Sequence, residues 1–326
     1  MKILITGSSG HLGQALISEL QRTNHECIGI DINPSKFTSI VGSITDPQFV
    51  RKVIRGVDVV VHTATLHKPH VATHSIKDFI DTNLNGTLNI LERSRNSNIR
   101  GLIFTSTTST FGDALTPKGN EPAVWVTEET PSIPKNIYGV TKSAAEDLCQ
   151  LFYRNYELPC VVLKTSRFFM EEDDDKALRE QYDDLNIKAN EYLYRRVDVE
   201  DVVSAHLLAI DKLDEIGFSK YIISASSPFR HKDLNFLSSD AISVVKKIYP
   251  DFEATYLEKG WKMFPKIGRV YVNDKARKEL GWNPKYDFQN VLSCIRKGSD
   301  FRSGLSLRVG SKGYHKETFS DGPYPI

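Results

Sequence analysis

Apolar positions in the first half of the chain fall into short β-branched runs separated by longer stretches with a helical beat. Lys2 to Thr6, Cys27 to Ile32, Val57 to Val61, Gly101 to Thr105 and Cys160 to Thr165 read as strands. Between the first two, Leu12, Ala15, Leu16 and Leu20 make one apolar stripe; Phe79, Leu84, Leu88, Ile90 and Leu91 make another ahead of the Gly101 run. Strand and helix alternating in this way predict an α/β fold, a doubly wound parallel sheet. At Phe168 the rhythm breaks into Glu171-Glu172-Asp173-Asp174-Asp175 and a polar helical stretch through Tyr182 and Lys188, read as an insertion. Tyr194 to Val199 and Tyr221 to Ser224 then look like strands, and Asp240 to Tyr249 and Asp274 to Leu280 like helices, which predicts a smaller α/β region after the sheet. From Ser303 to Ile326 the chain is rich in Gly, Ser and charge and reads as a tail docked on the body.

The 326 residues carry 42 Lys plus Arg against 41 Asp plus Glu, a net charge of +1, so no single-sign field is available to hold a nucleic acid or a membrane surface. A small-molecule ligand is the better expectation. No run approaches the roughly twenty apolar residues of a membrane span and Met1 to Thr6 lacks the core of a signal peptide, so a cytoplasmic location is expected. Cys27, Cys149, Cys160 and Cys294 are scattered without a C-x-x-C pair, which predicts reduced thiols and neither zinc nor redox chemistry.

Directly after the first strand stands Gly7-Ser8-Ser9-Gly10-His11-Leu12-Gly13, opening into a helix. Gly7 can make a tight turn, Gly10 leaves the backbone bare for a pyrophosphate, and Gly13 permits close packing. His11 and Leu12 begin the helix whose free N–H groups and dipole favour an anion. Asp31 ends the second strand eighteen positions after Gly13, where a carboxylate can accept from an adenosine ribose; this favours NAD over NADP. The alternative is an Asp that starts the turn at Asn33-Pro34, with Lys36 free to meet a phosphate. Tyr138 and Lys142, four apart, share one face of a predicted helix; an ammonium beside a phenol stabilises the phenolate and brings a group that ordinarily titrates near about 10 closer to neutrality. Ser106 and Thr107, at the carboxyl end of the fifth strand, are both candidates to bind a substrate oxygen.

Together these residues resemble the extended short-chain dehydrogenase/reductase superfamily, and within it the NAD-dependent epimerase/dehydratase family, over nearly the whole chain. Thr6-Gly7-x-x-Gly10-x-x-Gly13 resembles its cofactor turn, Tyr138-x-x-x-Lys142 its catalytic pair, and Phe104-Thr105-Ser106-Thr107 with Phe111-Gly112 its Ser/Thr strand end. His62-Thr63-Ala64, Asn83-Leu84-Asn85-Gly86-Thr87, Val197-Asp198-Val199-Glu200-Asp201-Val202 and Lys275 to Pro284 are similar to further family motifs. The resemblance implies NAD as cofactor, Tyr138, Lys142 and Thr107 as catalytic residues, and a cofactor site that also takes in Ser43, Ile44, Ala64, Asn83 and Thr105. It implies substrate contacts from Thr107, Thr108, His67 and Arg269, the last toward a phosphate, and a homodimer formed through the helices around Asn83 to Arg95 and Tyr138 to Tyr153.

By the same resemblance residues 1–167 form the cofactor domain, with its sheet completed within 194–227; 168–193 and 228–302 form the substrate region and 303–326 the tail. The implied activity is that of a nucleotide-sugar epimerase of the UDP-glucose 4-epimerase kind. A dehydrogenase or reductase of a sugar or other carbonyl compound, and a non-catalytic dinucleotide-binding regulator, are the alternatives. Three departures stand out: Ser43 in place of an Asp that meets adenine, Thr108-Ser109 in place of the Asp-Glu pair of dehydratases, and Tyr194 in place of an Arg, with Arg195 and Arg196 as possible substitutes. His67, His70 and His74 have a spacing open to a metal, but Pro69 interrupts any regular helix between them and no metal is expected. The acidic run at Glu171 to Asp175 reads as a solvated loop.

Overall fold

Among the described residues nine segments become strands: β1 (Lys2–Thr6), β2 (Glu26–Asp31), β3 (Ile40–Val41), β4 (Val59–His62), β5 (Gly101–Thr107), β6 (Val124–Val126), β7 (Cys160–Thr165), β8 (Phe218–Ile223) and β9 (Arg269–Tyr271). The computed structural model describes residues 1–97, 99–119, 121–315 and 319. Seven strands form one parallel sheet in the order β3-β2-β1-β4-β5-β7-β8. Chain order reverses between β1 and β4, so the connections leaving their carboxyl ends diverge and open a crevice there.

The strands alternate between two buried faces, as the period of two requires. Ile3, Ile5, Val59, Val61, Ile103, Val161 and Leu163 point to one face, where α1 (His11–Leu20) packs; Leu4, Val60, Leu102, Phe104 and Val162 point to the other. That second face is covered by α2 (Pro47–Val53), by α4 (Gly86–Arg95), which follows α3 (Ile76–Phe79), and by α5 (Ile137–Tyr156). An apolar layer on both sides is what makes these strands read as near-continuous hydrophobic runs.

Past β7 come α6 (Lys176–Gln181), α7 (Asp184–Glu191) and α8 (Val199–Asp211). Tyr194 to Val199 does not form the expected strand: a single bridge joins Arg167 to Arg196, and the Asp198 carboxylate accepts from Glu200 N at 2.8 Å, capping α8. That cap and the helical spacing of Val199, Val202 and Val203 turn the backbone into a helix on the β1 face. A separate core built on Leu193, Phe229, Val245, Tyr256, Phe288 and Leu292, with the short parallel pair β6-β9 beside it, closes the far side of the crevice.

The expected tail begins as a helix. Ser303 accepts from Ser306 N at 2.9 Å and starts Gly304–Val309, which buries Leu305 and Val309 against the α1 layer. Ser and Gly here are a cap and a first turn, which composition alone reads as loop. Residues 316–318 and 320–326 of the expected tail lie outside the described residues.

Candidate active site

The carboxyl ends of β1, β2, β4 and β5 open onto a cavity of about 1080 Å³, at the upper end of the ~300–1,000 Å³ that holds a drug-sized molecule. One wall is built by the backbone. Gly7 leaves β1 with φ +73°, and a Cβ there would stand 2.8 Å from Ala64 N. A Cβ on Gly13 would lie 2.0 Å from Gly7 O, so the first turn of α1 can rest on the loop only because position 13 is glycine. Gly10 is the N-cap and offers no side chain to the helix N–H groups; His11 and Leu12 therefore bring uncapped N–H groups and the positive end of α1 to the cavity.

Asp31 stands on the same wall. One of its oxygens accepts from Ser9 N at 3.0 Å and the other from Asn33 N at 2.9 Å, so it braces the glycine loop and also starts the following turn. Ser43 and Ile44, after β3, and Ala64, whose N–H donates to Thr6 Oγ1 at 3.0 Å, complete this side. A bare-backbone loop, an uncapped helix end and a carboxylate at the second strand end suit a dinucleotide: pyrophosphate on the N–H groups, ribose hydroxyls on Asp31.

At the middle of the cavity Thr105, Thr107 and Thr108 leave β5 and meet Tyr138. Asn136 caps α5 by accepting from Gly139 N at 3.1 Å, which sets Tyr138 in the first turn and Lys142 one turn deeper. Thr107 is hydrogen-bonded to the Tyr138 phenol, yet burial outweighs that bond and pushes the phenol up to about 12. Lys142 is buried behind the wall, its Nζ donating to Thr105 O at 2.7 Å and lying 4.0 Å from the centre of the Phe104 ring. Burial brings this lysine down to about 7, against the pull of Glu146. The expected lowering of the tyrosine pKa is thus absent from the chain by itself: desolvation holds Tyr138 protonated, and a cationic partner in the cavity would have to supply the opposite field.

Asn83 also differs from expectation. The helix that holds it widens into a π turn over Ile80–Asn85, and its amide is engaged with Leu66 N at 2.7 Å, Thr65 Oγ1 at 2.9 Å and Thr141 Oγ1 at 3.1 Å. It braces the loop after β4 from behind instead of lining the cavity. That loop carries His67, whose ring centre is 6.1 Å from that of Tyr138 and whose imidazole is held neutral, down to about 3, by burial and by its neighbours His70 and Lys142. Pro69 sits inside a 3₁₀ turn over Lys68–Ala72. Among the described residues no group of His, Cys, Asp or Glu is arranged to hold a metal ion.

The opposite wall is built from charge. The acidic run is only partly a solvated loop: Glu172 and Asp175 are exposed, while Glu171, Asp173 and Asp174 are drawn inward by basic groups, Arg167 nearby in sequence and His11 and Lys68 far from it. Arg167 pairs with Asp173, with Asp174 at 2.8 Å and with Glu191 at 3.4 Å; Lys68 reaches Asp174 at 2.6 Å; Arg195 reaches Glu191 at 2.7 Å. Burial alone would raise Glu191, but Arg195, Arg167 and Arg196 outweigh it and hold this carboxyl at about 2. Arg196 is spent inside the wall, on Glu191 at 2.8 Å and Phe169 O at 3.1 Å, so only Arg195 of the two expected substitutes lines the cavity. Arg269, on β9, lines the cavity too, with no carboxylate within salt-bridge reach among the described residues.

Residues of this wall were the ones missed from sequence: Arg167, Asp173, Asp174 and Lys68, together with Lys312 and Tyr314 from the C-terminal segment. The one available signal was the balance of five acids at 171–175 against Arg167, Arg195 and Arg196.

A doubly wound sheet with a bare glycine turn and a buried Tyr-Thr pair at its carboxyl edge defines a dinucleotide-dependent enzyme architecture. The profile of the NAD dependent epimerase/dehydratase family matches residues 3–223, and the chain belongs to that family, whose members are NAD-dependent epimerases and oxidoreductases. It is 24% identical to a UDP-glucose 4-epimerase of Lactobacillus helveticus over 88% of this chain and 93% of that one. A putative UDP-glucose 4-epimerase of Methanocaldococcus jannaschii is 25% identical over 90% and 96%. Among solved structures, an NAD-bound short-chain dehydrogenase/reductase superfamily protein from Agrobacterium tumefaciens shares the fold with a TM-score of 0.63 at 21% identity, covering 91% of this chain and 98% of that one. The UDP-glucose 4-epimerase of Thermotoga maritima with UDP-glucose has a TM-score of 0.61 at 22% identity, covering 91% and 99%. Among the described residues no helix is long and apolar enough to cross a membrane.

Proposed function

We propose that the protein is an NAD-dependent epimerase of a nucleotide sugar. The observation that carries the reading is one cavity that joins an anion-binding helix end to a buried Tyr138-Thr107 pair and, across from it, to Arg269, which has no carboxylate within salt-bridge reach among the described residues. The glycine turn, His11, Leu12, Ser43, Ile44, Ala64 and Thr105 would hold the cofactor, with Asp31 on its ribose. NAD supplies a hydride acceptor that becomes the hydride donor within the same turnover.

Around it the chain's own residues do the rest. Tyr138, as the phenolate that positive charge from the bound cofactor and from Lys142 would permit, accepts at Oη the proton of the sugar hydroxyl on oxidation and returns it on reduction; Thr107 Oγ1, bonded to that oxygen, and Thr108 orient the reacting oxygen. Lys142, buried against Thr105 O, supplies the positive field behind the phenol when charged. His67, neutral beside Tyr138, offers a hydrogen bond without a competing charge, and Arg269 meets a substrate phosphate by charge-assisted bonds. Holding these groups on strand ends and a capped helix keeps the sugar carbon within reach of the cofactor.

The reading includes a homodimer, supported by exposed Ile76, Ile80 and Val140 on the adjoining α3, π turn and α5; a sedimentation mass of one 36.8 kDa chain would contradict it. It also includes a cytoplasmic site of action, in keeping with four free thiols. The test is epimerisation of UDP-hexoses with no cofactor added to the purified protein. Tyr138→Phe is expected to lose about 10²–10⁴-fold in turnover while keeping its cofactor. Turnover only with added NAD and net NADH formation would favour a dehydrogenase; turnover unaffected by Tyr138→Phe would remove the acid/base assignment.

A further inference from the structure

The C-terminal segment does not end its contacts at the helix Gly304–Val309. It turns back across the cavity, where Lys312, Gly313 and Tyr314 join the lining. One carboxylate oxygen, Glu171 Oε1, fixes this path: it accepts from Ser311 Oγ at 2.9 Å, Lys312 N at 2.8 Å and Gly313 N at 3.1 Å, and also from His11 Nε2 at 2.8 Å. His11 is the first residue of α1, beside the uncapped N–H groups. A single buried acid therefore ties the segment to the helix end that the cofactor's pyrophosphate would occupy. Burial would raise this acid, but the His11 contact and the Lys312 N–H hold it at about 2, so the tie persists through the neutral range.

Two side chains of the segment face the same place. Tyr314 lies with its ring centre 5.9 Å from that of His11 and 5.9 Å from that of His67, spanning the two walls. Lys312 extends its Nζ to Gln14 Oε1 in α1. That partner is neutral, and among the described residues no carboxylate lies within salt-bridge reach of Nζ. Lys312 is itself exposed at the cavity rim, so a ligand phosphate can approach it. An ammonium held near a helix N-terminus, with no carboxylate in salt-bridge contact among the described residues, is complementary to a diphosphate.

We propose that residues 311–314 form a clasp over the cofactor, in which Lys312 binds the pyrophosphate of a dinucleotide and slows its release. The inference rests on the dinucleotide reading of the cavity and adds to it a binding residue that lies outside the glycine turn. It also gives a physical reason for the cofactor to stay bound between turnovers, since Lys312 and the α1 N–H groups would grip the same phosphates.

The full-length protein loaded with labelled NAD, exchanged into NAD-free buffer and followed by rapid filtration, tests this. Lys312→Met is expected to release NAD about tenfold faster, the loss of one charged hydrogen bond, and Lys312→Arg to restore slow release, with the thermal midpoint of all three chains unchanged. In the wild type, saturating NAD is expected to slow tryptic cleavage after Lys312. Release from Lys312→Met at the wild-type rate, or tighter binding in that variant, overturns the clasp while leaving the dinucleotide reading intact. A wild-type chain that neither carries nor takes up NAD overturns both.

Discussion

The two walls of the cavity are made by different means. On the α1 side the shape comes from backbone: a turn with positive φ at Gly7, a contact that only Gly13 allows, and helix N–H groups left bare by Gly10. On the other side it comes from charged side chains, with Glu191 at the centre of three arginines and Asp174 shared between Arg167, seven residues away, and Lys68, over a hundred away. A backbone wall presents fixed dipoles and tolerates no added atom. A wall of buried ion pairs holds its shape only while every charge keeps its partner.

Measuring both walls side by side sharpens that contrast. Glu191→Ala is expected to have the largest effect, about 3–5 kcal/mol of stability by urea unfolding, because it takes the carboxylate partner of buried Arg196 and leaves Arg195 only Asp173 at 3.4 Å. Gly13→Ala follows at about 1–3 kcal/mol, the cost of overpacking, since its Cβ would press on Gly7 O; its defining loss is cofactor binding. If Gly13→Ala binds NAD normally, the backbone account of the first wall fails.

The smallest effect is in pH. Glu191 and Glu171, both held at about 2 when folded, contribute stability that is complete above their unfolded range near 4.3 and is lost as pH falls toward 2. The wild type should therefore lose stability between about pH 4.5 and 2, with a shallower slope in Glu191→Ala. An equal slope in both chains would mean that this wall does not carry the acid sensitivity.

The same contrast explains what sequence could and could not reveal. Short-range rules make the first wall legible: a strand, a glycine spacing, a helix stripe and an Asp at the next strand end all lie within the first 31 residues and predict β1, α1 and β2. Tyr138 and Thr107 were legible for a similar reason, since strand ends and first helix turns place them. The charged wall was not. Glu171 to Asp175 looks like a solvated loop until Arg167, Lys68 and Arg195 are brought beside it, and no helix or strand periodicity pairs them. Lys142 and Asn83 are a different case. Their helices were expected, but whether a side chain reaches the cavity or turns to a neighbouring carbonyl depends on packing depth and, for Asn83, on a π turn that no periodicity announces. The helix at the start of the docked tail was hidden for a third reason, because Ser303-Gly304 is a cap whose helix exists by packing Leu305 and Val309 on the β1 face.

The most direct test of the whole account is the NAD content of the purified protein, released by denaturation and quantified per chain. An epimerase regenerates its cofactor in each turnover and, with a clasp over the site, is predicted to carry close to one NAD per chain through purification. A protein that purifies empty and exchanges added NAD freely would contradict that prediction and return the cavity to a dehydrogenase.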